Sequence, residues 1–123
     1  MPISYSIDAE RRVIRTRWEG VVTKDVAAAH WTQVFSDPEA LAVRRTLADL
    51  RGADVQISGT ELMELSAEFI RPVAAGGPWR SAMIVDQPVL FGITRQFQSY
   101  AHIQDRSQVF TDEAAALDWL LAP

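Results

Sequence analysis

Apolar and polar residues alternate from the start of the chain. Ile3, Tyr5 and Ile7 fall on one side and Ser4 and Ser6 on the other, the period-two pattern of a half-buried strand. After DAERR the alternation resumes. Ile14, Thr16 and Trp18 share an inner face, and Arg15, Arg17 and Glu19 an outer one. The short connection predicts an antiparallel hairpin. Gly20 is expected to break the second strand. Thr23 suits the N-cap of a helix over KDVAAAHWTQVFSD, because its hydroxyl can accept from a free backbone N–H. Ala27, Trp31, Val34 and Phe35 lie at helical spacing within it. Asp37-Pro38 is expected to end it.

RRTLADL reads as a short buried strand. A second helix follows, with Leu62, Leu65 and Phe69 on one face and Met63 and Ile70 beside them. Pro72 and Gly76-Gly77-Pro78 should close this unit. WRSAMIV is the next strand, and its continuous apolar end suits a central parallel position. Pro88 precedes a third helix, VLFGITRQFQSYAHI, with Val89, Ile93, Phe97 and Tyr100 as its apolar stripe. Arg95, Gln98, Ser99 and His102 fall on its other faces. QVF is a last short strand. Asp112 or Thr111 caps a final helix, EAAALDWLL. The order is ββαβαβαβα. Strands alternating with helices imply right-handed crossovers. The expected fold is α/β: a mixed, mostly parallel five-stranded sheet with four helices and one antiparallel edge.

Composition narrows the function classes. A chain of 123 residues fits one domain over residues 1–123 and can bury a sizeable core. The net charge is −4 and Lys24 is the single lysine, so nucleic acid is not an expected partner; phosphate contacts need clustered cations. No cysteine is present, which removes disulfides, thiol catalysis and thiolate metal sites. MPISYSIDAERR lacks a basic start followed by an apolar core, so no signal peptide is expected. The apolar runs are too short to span a membrane. A cytoplasmic protein is the expectation, with a peripheral membrane location as the variant.

One stretch and several shorter ones carry a resemblance. LADLRGADVQISG is similar to the strand-loop-helix motif of anti-sigma-factor antagonists and other STAS domains, roughly D-L-x-x-V-x-F-x-D-S-S-G. Asp49, Leu50 and Ser58 sit at matching spacing. RVIRTRWEGVVTKDV, LADLR, FGITRQFQSYA and VFTDEAAALDWL together resemble the bacterial SpoIIAA-like proteins grouped under STAS/SEC14 domain names, over nearly the whole chain. The resemblance implies a SpoIIAA-like fold and a non-catalytic domain that binds partner proteins, or lipids and other apolar ligands.

Ser58 is the first candidate site. In the family's phosphoswitch a serine follows an aspartate at a helix start, where phosphate gains from free N–H groups and the helix dipole. Here Ile57 precedes Ser58 and Gly59 follows it. Ser58-Gly59-Thr60-Glu61 instead spells a capping box, which favours a structural cap over a degenerate phosphoswitch. The third helix is the second candidate. Gly92 near its start weakens it, and Phe91 lies off the main stripe. Trp79, Phe91, Gly92, Arg95 and Phe97 are read as a ligand pocket or mobile helix; ordinary core packing is the competing reading. His30 and His102 are far apart and lack metal spacing. No nucleophile elbow, G-x-G-x-x-G or Walker-type loop is present, so no catalytic residue, cofactor or metal is assigned. Asp49, Asp54, Glu61 and Glu64 could cluster near the strand-helix junction. The expected partner is a small apolar or lipid-like ligand, with a homodimer as the assembly. The alternative is a protein partner engaged through Ser58.

Overall fold

The alternating start of the chain folds as the expected hairpin. In the computed structural model, which describes residues 2–123, strand β1 (Ile3–Asp8) pairs antiparallel with β2 (Val13–Thr23). Ile3 opposes Trp18, Tyr5 opposes Thr16 and Ile7 opposes Ile14, so the two inner faces coincide. β2 then runs parallel to β3 (Arg45–Gln56), β3 to β4 (Arg80–Ile84), and β4 to β5 (Ser107–Phe110). The sheet order is β1-β2-β3-β4-β5.

Helices cover both faces of this sheet. Single-residue alternation assigns side chains to one face or the other. Trp18, Ala48, Leu50 and Met83 pack against one helical layer, to which helix α1 (Lys24–Phe35) contributes Ala27 and helix α5 (Pro88–Ala101) contributes Leu90. Val13, Leu47, Ala82 and Ile84 pack on the other face, against Ala116 and Leu120 of helix α6 (Glu113–Leu121). Burial on both faces explains why AMI in β4 is apolar without interruption. The caps follow the sequence. Thr23 accepts from the backbone N–H of Val26, and Asp112 from that of Ala115 at 2.9 Å.

Several elements differ from expectation, each for a local reason. Gly20 lies inside β2 and does not end it. Its φ of +67° suits glycine, and the strand continues through Val21–Thr23 beside Asp54–Gln56 of β3. That pairing also extends β3 beyond the short strand expected. Pro38 does end α1, but it opens a further short helix, α2 (Pro38–Val43). Asp37 caps that helix, accepting from the N–H of Glu39 at 3.0 Å, and proline is preorganised for a first helical turn. The expected second helix is longer and divided. It runs as α3 (Gly59–Leu65), a π-helical segment (Ser66–Ile70) and α4 (Arg71–Ala75). Pro72 falls within this run and does not close it. Proline cannot donate to the helical ladder and crowds the preceding turn; the widened π turn lies directly before it.

The third helix, α5, keeps Ile93 and Phe97 of its expected stripe but turns Leu90 inward in place of Val89, and buries Ala101 more deeply than Tyr100. Val89 is 63% exposed and Leu90 only 1%. Leu90, Ile93, Thr94, Phe97 and Ala101 form the inward stripe, at i, i+3, i+4, i+7 and i+11. Thr94 hides this pattern in the sequence because it reads as polar. In the fold its hydroxyl donates to the carbonyl of Leu90 at 2.8 Å, so its burial leaves no polar group unpaired.

Candidate functional site

Ser58 is the N-cap of α3. Its Oγ accepts from the backbone N–H of Glu61 at 3.1 Å, and the Glu61 carboxylate accepts from the backbone N–H of Ser58 at 2.9 Å. Both bonds of the capping box are made. The residue is nonetheless exposed. The hydroxyl is therefore engaged with the backbone and reachable at the same time.

The acidic residues around this junction do not converge. Asp49 is bound by the guanidinium of its near neighbour Arg51 at 2.9 and 3.0 Å. That pairing holds its carboxyl below the usual carboxylate range. Asp54 accepts from Gln56 at 3.0 Å. Glu61 caps α3, and Glu64 pairs with Lys24 at 2.6 Å. Among the described residues no group of three His, Asp or Glu side chains is placed to hold a metal ion.

A concave feature lies between the sheet and the helical layer. It is an apolar cavity of about 120 Å³. Thr16 and Trp18 of β2, Thr46, Ala48 and Leu50 of β3, and Ser81 and Met83 of β4 form its floor. His30, Trp31 and Phe35 of α1 cover one side. Ile93, Thr94 and Phe97 of α5 cover another, and Ile70, Val73 and Ala74 come from the π segment and α4. Trp79 lines it as well. No Lys, Arg, Asp or Glu lines it.

Aromatic packing shapes the cavity wall. Trp31 stacks on Phe97 with ring centroids 5.7 Å apart and meets Trp18 edge-on at 6.0 Å. Trp79 packs edge-on against Phe35 at 5.6 Å, and its Nε1–H donates to Thr46 Oγ1 at 2.9 Å. Arg44 secures Trp79 from outside the cavity. Its guanidinium sits 5.1 Å from the Trp79 ring centre, the geometry of a cation–π contact. It also donates to the carbonyls of Val73, Gly77 and Pro78 at 2.8–3.0 Å.

The five residues singled out on and near the third helix separate. Trp79 and Phe97 line the cavity. Phe91 packs half-buried against the core on the same side of the sheet, without lining the cavity. Gly92 and Arg95 are exposed. A Cβ added at Gly92 would meet nothing within 4 Å, so this glycine does not serve close helix packing.

Sequence reasoning weighed His30 only as a metal ligand and missed its place in the cavity wall. It is 7% exposed, lines the cavity, and lies edge-on to Tyr5 at 6.1 Å and to Trp18 at 5.8 Å. Burial away from water disfavours its charged form and pushes its pKa down to about 4, so the imidazole is neutral at pH 7. The available signal was its spacing, three residues after Ala27 and four before Val34 on the buried stripe of α1. His102, by contrast, is exposed at the C-cap of α5.

Comparison with known proteins places the architecture. The sequence matches no protein-family model and no curated protein. The structure is similar to that of an uncharacterised protein of the DUF3478 family from Shewanella loihica PV-4, which has a SpoIIAA-like fold. The TM-score is 0.65 at 20% identity, over 96% of this chain and 93% of that one. It is also similar to the phosphorylated form of the Bacillus cell fate determinant SpoIIAA. There the TM-score is 0.62 at 12% identity, over 95% of this chain and 97% of that one. Among the described residues no helix is long and apolar enough to cross a membrane. The strand order, the hairpin edge and these two likenesses together make this a SpoIIAA-like fold.

Proposed function

We propose that the protein is a non-enzymatic binding module that holds a small apolar ligand between its sheet and its helical layer. The apolar, uncharged cavity of about 120 Å³ is the observation that supports this reading. Its size sets the ligand class. A cavity of roughly 150 Å³ lined by aliphatic and aromatic side chains takes up benzene, whereas drug-sized ligands need about 300–1,000 Å³. A ring-sized molecule fits as the chain stands. A lipid tail would require the helical layer to part.

The competing reading, a protein partner switched by phosphate at Ser58, has less behind it. The Ser58 hydroxyl already has a structural role, and a phosphate there would meet the Glu61 carboxylate that caps the same turn.

The test is thermal unfolding of the full chain with toluene as the probe. A ligand at a hundred times its Kd stabilises the folded state by about 2.7 kcal/mol, a shift readily seen in the melting curve. Ala48→Leu fills the cavity floor, and this variant should keep a cooperative transition while losing the toluene response. A wild-type curve that toluene leaves unmoved at saturation in water sinks the reading.

A further inference from the structure

The cavity is apolar but not featureless, and its polar groups are unequally committed. Thr16 Oγ1 accepts from the Trp18 indole at 3.2 Å, and Thr46 Oγ1 from that of Trp79 at 2.9 Å. Thr94 spends its hydroxyl hydrogen on the carbonyls of Leu90 and Phe91. His30 differs. No hydrogen bond reaches either of its ring nitrogens among the described residues, although the residue is 7% exposed. Among those residues, every side-chain polar atom that is sealed off completely has a partner. The His30 nitrogens have none, so each keeps some accessible surface, and the ring itself lines the cavity.

A neutral imidazole offers one donor and one acceptor. A ligand hydroxyl could supply the hydrogen bond that no protein side chain or backbone group gives these nitrogens. A hydrocarbon could not. A carboxylate would enter a cavity with no Lys or Arg in its lining and would face the full cost of an unpaired buried charge. Ser81, half-buried on β4, is the other polar lining side chain without a partner among the described residues.

We propose that His30 is the polar anchor of the cavity, and that the ligand is an uncharged, benzene-sized ring carrying a single hydroxyl. This rests on the cavity reading above and names its ligand class. Phenol is the simplest such molecule, with toluene and benzoate as its apolar and anionic counterparts.

Calorimetric titration of the full chain at pH 7.5 with these three probes tests the proposal. Phenol binds, and benzoate is at least tenfold weaker. His30→Phe keeps a ring at this position and lowers the phenol-to-toluene affinity ratio at least tenfold. A second readout needs no variant. In ¹⁵N-labelled wild-type protein, phenol shifts the ring nitrogens of His30, while those of His102 stay in place. If neither phenol nor toluene binds, the cavity reading falls and the anchor falls with it. If toluene binds and phenol does not, the cavity reading stands and the anchor alone is overturned. The same follows if phenol binds without moving the His30 nitrogens, which would point instead to Ser81.

Discussion

Ser58 stands where backbone N–H groups have no partner inside their own helix. Its hydroxyl supplies one and Glu61 returns the favour to the Ser58 N–H. Loss of such a cap costs about 1 kcal/mol, and asparagine caps about as well as serine. Ser58→Ala should therefore lower unfolding free energy by about 1 kcal/mol in a denaturant titration, and Ser58→Asn by only a few tenths. An alanine variant as stable as the wild type would remove the structural role and reopen the hydroxyl to a regulatory one. This residue was legible in the sequence because capping is local: serine, two spacers and a glutamate suffice. His30 was not. Its burial depends on Tyr5 and Trp18, which reach it from β1 and β2, and nothing within α1 announces them.

At the scale of elements, legibility follows the same division. The hairpin and the strand-helix alternation were readable because each rests on a short repeating pattern. The division of the second helix was not. Pro72 reads as a stop signal, yet tertiary packing carries the chain through it by way of the π turn at Ser66–Ile70. Leu65 and Ser66, at the join of α3 and that turn, are fully buried. Thr94 was left off the α5 stripe because a self-satisfied threonine cannot be told from an exposed one by type alone. Gly92 on that helix gives a test. It has no positive φ and open space where a Cβ would stand. Alanine in a helix interior is favoured over glycine by about 0.8–1 kcal/mol. Gly92→Ala should raise stability by roughly that amount on the same denaturant scale. The variant also decides whether α5 moves to admit a ligand. Slower toluene association at unchanged protein fold assigns Gly92 a part in opening, whereas an unchanged rate removes it from the path of entry.

For the molecule as a whole, a neutral histidine beneath the helical layer couples folding to pH. The sign follows from which state holds the proton. The unfolded His30 titrates near 6.5 and the folded one at about 4. Between those values the unfolded chain binds a proton that the folded chain refuses, so stability falls as pH falls. The contribution is intact above about pH 6.5 and lost as the pH drops to about 4. At 1.36 kcal/mol per pKa unit the full loss is roughly 3 kcal/mol, a large share of the 5–15 kcal/mol typical of a domain. Asp49 acts in a different window. Its carboxyl is held below 3.8 by Arg51, so its contribution is present above that value and disappears only at lower pH. The two effects can be separated by working between pH 7 and 4.5. There, denaturation midpoints of the wild type should decline steadily, and those of His30→Phe should decline much less. The variant discards the imidazole while keeping a ring against Tyr5 and Trp18, so it removes the proton linkage without emptying the site. If His102→Gln, and not His30→Phe, flattens the profile, the linkage belongs to the exposed histidine and the neutral imidazole in the cavity wall does not set the acid limit of this fold.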